Sequence, residues 1–400
     1  MNYFIKNIHV NKLLHLQDFD IAIPEKNPHL IITGKNGSGK TILLKAIADV
    51  LHSIINHRHA ILFSNSLLDS WMQESATRPK GNDQLHSDFD FLFRTLYMSF
   101  SNIAQIIDLY HKKDFVLSFY GAARLTQMKV PTSPKKPNLR VSNASKSLTD
   151  QFLYFLSDLK IQEALARNEK QYEDAERIQT WFENFENILR ELYQDPALGL
   201  IFNYKDYSFV IKTNGKEFKF NQMSDGFTAA IDIIADLILK MQGGDSLTYN
   251  YLKSGIVLID EIETHLHLEL QRLVLPMLTK IFPNIQFIVT THSPFVLNSL
   301  ENAVAYDLEH RKIIDELTEY SYESLAEGYF GVKTDSSYME MRLKSFRNLL
   351  EKDTLTNGDT AQLSSLVADF EKIPEAVSPA VVGEFLRLRT VYSDKIKALK

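Results

Sequence analysis

The chain has 400 residues, 44% of them apolar and 24% charged, and a net charge of −6. This is enough apolar material for one large domain or two to three ordinary ones. The acidic balance excludes a molecule held to nucleic acid by its overall charge, while leaving room for a local basic patch. No cysteine is present, which excludes a disulfide framework and cysteine-ligated zinc or iron–sulfur sites. The opening residues MNYFIKNIHVNKL are too polar for a signal peptide. No run reaches the roughly 20 apolar residues of a membrane span, so the expected location is cytoplasmic, with no membrane partner.

In chain order, Tyr3 to Ile23 reads as short strands around a turn, and His29 to Thr33 (HLIIT) as a β-rich run that leads into a glycine loop, Gly34 to Thr41. From Ile42 to Ile55, apolar residues recur at Leu43, Leu44, Ile47, Val50, Leu51, Ile54 and Ile55, which is helical periodicity. Residues 57 to 112 read as mixed and mostly helical, and Phe115 to Tyr120 (FVLSFY) as a core strand. The tract KVPTSPKKPNLRVSNASKS, residues 129 to 147, has the Pro, Ser and Lys content of an irregular loop. Thr149 to Leu192 reads as a long charged helical stretch, either a solvated insertion or an arm that contacts a partner or DNA.

Leu200 to Phe220 has the pattern of a β-hairpin with Asn214-Gly215 as its turn signal, and Ala229 to Met241 that of an amphipathic helix. Ile256 to Asp260 (IVLID) and Gln286 to Thr290 (QFIVT) are continuous apolar runs, as in a sheet covered on both faces. A helix from about Leu266 joins them, with Pro276 expected to kink or break it. Ala303 to Tyr306 is expected to be a last strand, and residues 311 to 400 to be mostly helical.

Four clusters carry chemistry. Gly34, Lys35, Asn36, Gly37, Ser38, Gly39, Lys40 and Thr41 fit G-x-x-x-x-G-K-[ST] in full. Glycines let such a loop curl so that successive N–H groups face phosphate oxygens, and the following helix adds its positive end. Lys40 then charges the β- and γ-phosphates of ATP, and the Thr41 hydroxyl is a Mg²⁺ ligand. The second cluster is the strand that ends in Asp260 and Glu261, the Walker B pattern. Asp260 is expected to hold Mg²⁺ and Glu261 to orient or deprotonate the attacking water. The third is Thr290-Thr291-His292-Ser293-Pro294, where His292 can reach the γ-phosphate or that water. The fourth, Met223-Ser224-Asp225-Gly226, stands directly before a helix; taken alone it is an ordinary turn or N-cap.

The order GKNGSGKT, MSDG, LIDEIETHLH, THSP resembles the ABC-type ATPases outside the transporters, among them the SMC, RecF and overcoming-lysogenization (OLD) ATPases and those of bacterial antiphage systems. The likeness covers the start of the chain and roughly 220 to 310. The tract DEIETHLHLELQRLVLPMLTKIFPNIQFIVTTHSPFVL is similar to the D-E-P-E-x-H-L-H and T-H-S-P signature of the OLD and antiphage branch, with Ile262 replacing the usual proline. The resemblance implies an α/β P-loop NTPase of the ABC head type. Its parts would be an N-terminal β-subdomain, a head over 1–310 interrupted by a mostly helical insertion at about 129–195, and a helical C-terminal region, 311–400, that binds a partner.

It further implies a head-to-tail ATP sandwich, a homodimer or higher homo-oligomer in which Ser224, Asp225 and Gly226 of one subunit grip the nucleotide held by the loop at 34–41 of the other. The family's Q-loop glutamine follows the second core strand. Gln127 is the candidate, with Arg124 as an alternative contact to nucleotide or partner. His265 and His267 would suit a metal site, but the H-L-H element belongs to this branch near the dimer interface.

The leading expectation is therefore an ATPase subunit of a bacterial antiphage complex, of the Septu or retron-associated type with the PARIS ATPase as close competitor. It would act with a separate nuclease of HNH or TOPRIM type, because residues 311 to 400 show neither the strand-to-glutamate nor the D-x-D motif of a TOPRIM module. The runner-up is a DNA-repair or DNA-end-binding ATPase of RecF or SMC type, with Lys135, Lys136, Arg140 and Lys146 on phosphates. A transporter's ATP-binding subunit is a third reading, disfavoured by Met-Ser-Asp-Gly and the long insertion.

Overall fold

The computed structural model describes residues 4–56, 95–123, 128–133, 135–140, 144–213, 215–242, 251–314, 337–352, 354–373 and 379–397. The chain divides into two compact units, Met1–Tyr320 and Ser321–Lys400.

In the first unit, strands β1 (Ile5–Leu13) and β2 (Leu16–Ala22) form a hairpin whose two-residue loop puts Leu14 in the left-handed region, at φ 56°. On its other edge β1 pairs with β4 (Leu96–Phe100). This segment was expected to be mostly helical. Its alternation of buried Leu96, Met98 and Phe100 with half-exposed Tyr97 and Ser99 is instead that of a half-covered strand. Ile5 and Ile8, three positions apart, are both buried, because a register shift between Ile5 and Asn7 turns the strand.

The main sheet has the order β12-β11-β3-β10-β9-β5, with β3 (His29–Thr33), β5 (Phe115–Tyr120), β9 (Ser254–Ile259), β10 (Ile285–Thr290), β11 (Ala303–Asp307) and β12 (Lys312–Ile314). All neighbours are parallel except the β11–β12 pair. β3 and β10 are buried along their whole length, as their unbroken apolar runs require in a sheet covered on both faces. Gly255 lets β9 sit between β5 and β10: a Cβ there would lie 2.4 Å from Val116 O and 2.6 Å from Ile285 Cδ1. Gln286, fully buried, ties this sheet to the N-terminal hairpin. Its Oε1 accepts the N–H groups of Phe4 (3.0 Å) and Ile5 (2.8 Å), and its Nε2 donates to Ile5 O (3.1 Å) and Pro28 O (2.8 Å). A buried amide is tolerable only when so satisfied.

Helices α1 (Lys40–Asn56) and α2 (Ile103–His111) pack against each other, and α1 also lies against β10 and β9. The insertion divides as expected into an irregular tract and a helical stretch. Among the described residues of 128–148 none is helical, and the helices are α3 (Phe152–Asn168) and α4 (Tyr172–Tyr193), joined through Phe155, Trp181 and Phe185. The expected hairpin at 200–220 is a three-stranded meander of β6 (Gly199–Asn203), β7 (Ser208–Thr213) and β8 (Lys216–Lys219). Of its turn signal, Asn214 lies outside the described residues. The next helix, α5 (Asp225–Lys240), starts four residues earlier than its apolar period suggests. It is followed by α6 (Leu268–Ile281), which continues through Pro276, and α7 (Pro294–Leu297).

The sequence-based boundary at 310/311 needs correction. It falls inside the β11–β12 hairpin, whose second strand pairs Ile314 with Ala305 and so belongs to the first unit. In the second unit, α8 (Ser337–Glu351), α9 (Asn357–Phe370), α10 (Pro379–Val391) and α11 (Ser393–Lys397) enclose a small core of Phe346, Leu363, Phe370, Phe385 and Leu388. Among the described residues no helix is long and apolar enough to cross a membrane.

Candidate functional site

Strands β3, β10 and β9 are neighbours, so the parallel sheet brings the glycine loop, the Thr290–Pro294 segment and Asp260-Glu261 to one edge. That edge, at the carboxyl ends of the strands, is where open α/β sheets bind ligands. Gly34 and Gly39 have φ values of 134° and 101°, a region closed to most side chains. A Cβ on Gly39 would also lie 3.0 Å from Leu16 Cδ1. The loop is closed by Ser38 N–H donating to Lys35 O at 3.1 Å, and His15 Nε2 lies 3.0 Å from Ser38 O. The buried Ser38 Oγ has no hydrogen-bond partner among the described residues.

Lys40, 5% exposed, donates to Gly34 O (2.8 Å) and Lys35 O (3.0 Å). Burial holds its ammonium below the usual lysine range, and the charges of Glu261, Glu263, Asp260 and Asp307 oppose that shift. Thr41 Oγ1 donates to Asp260 Oδ1 at 3.1 Å.

The same Asp260 oxygen accepts Thr290 Oγ1 at 2.7 Å, and Thr290 Oγ1 in turn accepts the Glu261 N–H at 2.8 Å. One hydroxyl thus holds both acids, a role that the sequence reading missed because it singled out only His292 in that segment. Glu261 sits at φ 45°, a strained position of the kind that collects at functional sites. Ile262, which replaces the proline of the related signature, donates its N–H to Thr290 O at 3.1 Å. Proline could not make this bond.

His292 is half-buried. Burial lowers its imidazole below the ordinary value and the Lys40 charge adds to that, against Glu261 and Asp260. Glu263, also missed from sequence, accepts Thr291 Oγ1 at 2.8 Å and the His292 N–H at 2.5 Å. Burial raises its carboxyl above the ordinary range, against these hydrogen bonds, and Glu261 adds to the rise. Its signal in the sequence is its place as the second glutamate of the D-E-P-E-like tract, to which no role was given.

Ser224 is the N-cap of α5, but its side chain makes no cap bond; its carbonyl accepts the Thr228 N–H at 3.0 Å. Ser224 and Asp225 are exposed, and Gly226 is buried against the turn after β9, where a Cβ would lie 3.0 Å from His265 O. Among the described residues no hydrogen bond or ion pair joins Ser224, Asp225 or Gly226 to residues 34–41. Phe227 stacks on Tyr193 at the end of α4 (4.0 Å between centroids) and meets His267 edge-on (5.4 Å), so the insertion touches the start of α5. His267 Nδ1 accepts the Leu270 N–H at 3.4 Å as the N-cap of α6. Gln127 and Arg124 lie outside the described residues.

The family model described as "AAA domain, putative AbiEii toxin, Type IV TA system" matches residues 128–298, which take in Ser224, Asp260, Glu261 and His292. The "Septu protein PtuA" of Bacillus mycoides is 26% identical over 314 residues, 74% of this chain and 39% of that protein. The "Retron Vc95 probable ATPase" of Vibrio cholerae is 39% identical over 118 residues, 29% of this chain and 21% of that one. The chain is similar to Septu and retron ATPases. It spans well under half the length of these relatives. Among solved structures, an SMC head bound to the C-winged helix domain of ScpA has a TM-score of 0.41 at 17% identity, over 78% of this chain and 97% of that one.

Proposed function

We propose that this chain is an ABC-type ATPase that hydrolyses ATP as a subunit of a bacterial antiphage complex and regulates a separate nuclease. One observation carries the ATPase part: Thr41, Asp260, Thr290 and Glu261 form a single hydrogen-bonded cluster beside Lys40 and the glycine loop. The donor set fits ATP with Mg²⁺. The orphaned Ser38 hydroxyl lies in the loop where phosphate oxygens would accept from it, and Thr41 and Asp260 offer hard oxygens side by side. Mg²⁺ held there would neutralise charge on the β- and γ-phosphates.

The chain's own groups do the rest. N–H groups of Asn36 to Thr41 and the Lys40 ammonium bind the phosphates. Glu261 orients the attacking water and takes its proton, and His292 hydrogen-bonds the γ-phosphate or that water. The exposed Ser224 hydroxyl, Asp225 and Gly226 at the start of α5 contact the ATP of a second copy, which makes the nucleotide a bridge in a homodimer or larger oligomer. The likeness to Septu and retron ATPases supports the defence role; a separate nuclease of HNH or TOPRIM type, bound by the helical C-terminal region, completes the proposal.

The test is Mg²⁺-dependent phosphate release by the purified chain, with Lys40→Ala as control. Release that is absent, or equal in Lys40→Ala, sinks the ATPase reading. DNA cleavage by the chain alone, supplied with metal, sinks the separate nuclease. The exposed Lys135, Lys136, Arg140 and Lys146 favour a second reading, a DNA-end-binding ATPase. DNA-stimulated hydrolysis that is lost when all four are neutralised would select it.

A further inference from the structure

We propose that Glu263 is a positioning residue that aims His292 at the γ-phosphate by holding the Thr291–His292 segment of the turn after β10. This rests on the ATPase reading above. The turn after β10 is clamped at both ends by other groups. Thr291 N–H donates to Ile32 O (3.0 Å), Thr33 Oγ1 donates to Thr291 O (3.1 Å), and Ser293 Oγ donates to Gln271 Oε1 (2.6 Å). Between these clamps, the His292 N–H has one partner among the described residues, Glu263 Oε1 at 2.5 Å. The other carboxylate oxygen takes Thr291 Oγ1 at 2.8 Å, and that hydroxyl also accepts the Ser293 N–H at 3.0 Å.

Both oxygens thus bind one turn, and the carboxylate fixes the peptide plane that carries the imidazole, whose charge is felt by Lys40, Glu261 and Asp260. A carboxylate is an expensive acceptor here. Asp260 and Glu261 are already close by, and a third negative charge costs more than a neutral amide would. Its return is a charge-assisted bond, shorter and stiffer than a neutral one, on the one residue whose aim matters. Thr290 holds the two acids and Glu263 holds the histidine. The constellation is therefore oriented from β10 on one side and from the turn after β9 on the other.

The experiment is a steady-state cycle in the full chain with Mg²⁺-ATP: wild type, Glu263→Ala, Glu263→Gln, His292→Ala and the Glu263→Ala/His292→Ala double variant. Glu263→Ala should lower kcat about tenfold with KM for ATP within about twofold, because ground-state binding is untouched. Glu263→Gln keeps an oxygen for the His292 N–H and should recover most of the loss. The double variant should be little slower than His292→Ala, since the hold of Glu263 on the turn has no imidazole left to aim. Losses that multiply in the double variant overturn the proposal, as does a Glu263→Ala enzyme as fast as wild type. If Glu263→Ala melts early, Glu263→Asp, which withdraws the same charge by one methylene, gives the same comparison. An inactive wild type, or a fully active His292→Ala, would mean instead that the ATPase reading or its histidine is wrong.

Discussion

Thr41 Oγ1 donates to Asp260 Oδ1 across 3.1 Å of space and 219 positions of sequence. The two residues end different segments of the sheet, one in the first turn of α1 and the other just past β9, and β10 stands between their strands. Thr290 at the end of β10 closes the gap with a bond to the same Asp260 oxygen. This edge of the sheet is a hydrogen-bonded seam across three strands.

Glu261→Gln keeps the size and the backbone bond to Thr290 but cannot take a proton. We expect ATP binding to persist while phosphate release falls on the order of a hundredfold or more. Titration calorimetry and a phosphate-release assay read the two separately. A Glu261→Gln chain that turns over ATP like wild type means that another group is the base.

Thr290→Val removes the hydroxyl and little else. The Glu261 N–H loses its acceptor and Asp260 loses a donor at a fully buried position, which should cost about 1–3 kcal/mol of stability. kcat should fall about tenfold, with a higher Mg²⁺ requirement, and Thr290→Ser should restore both. If Thr290→Val and Thr290→Ser behave alike, the hydroxyl bridge has no functional weight.

His29, buried at the start of β3, accepts the Phe287 N–H on Nδ1 at 3.1 Å, and burial lowers its pKa to about 4. The unfolded chain protonates this histidine near pH 6.5, while the folded chain resists until about pH 4. Stability therefore drops as pH falls between those values, by up to ~3 kcal/mol for this residue. His29→Asn keeps an acceptor that does not titrate, so its melting temperature should fall less between pH 7 and 4.5. Equal slopes for the two chains would rule this out. His292, also lowered by burial, leaves a residual slope in both.

Gly226→Ala would put a methyl 3.0 Å from His265 O, so the start of α5 or the turn after β9 must shift by a few tenths of an ångström. Among the described residues no hydrogen bond or ion pair joins this point to residues 34–41, so ATP binding by the isolated chain should hold. ATP-driven self-association, measured by sedimentation in the Glu261→Gln background, should weaken about tenfold. Unchanged association would place the bridging contact elsewhere on the surface.

Much of the fold was legible because its signals are local. Positive-φ glycines, unbroken apolar strands and the 3.6-residue period of α1 are set by steric and hydration rules acting over a few neighbours. Those rules pick out the loop at 34–41, Asp260, Glu261 and the segment around His292. They mislead where the decisive partner is remote. Leu96–Phe100 is a strand because β1 offers it an edge, and residues 312–314 join the first unit because β11 pairs with them.

By itself, then, the sequence determined the chemical inventory: a phosphate loop, two acids at a strand end, and a histidine at another. Only the tertiary structure decided which groups touch. Strand order put Thr290 between Asp260 and Glu261, turned Glu263 onto His292, and gave the Ile262 N–H a carbonyl that a proline could not use. Hydrogen bonds reach about 3 Å, and which residues come that close across 28 to 219 positions depends on the packing of the whole sheet.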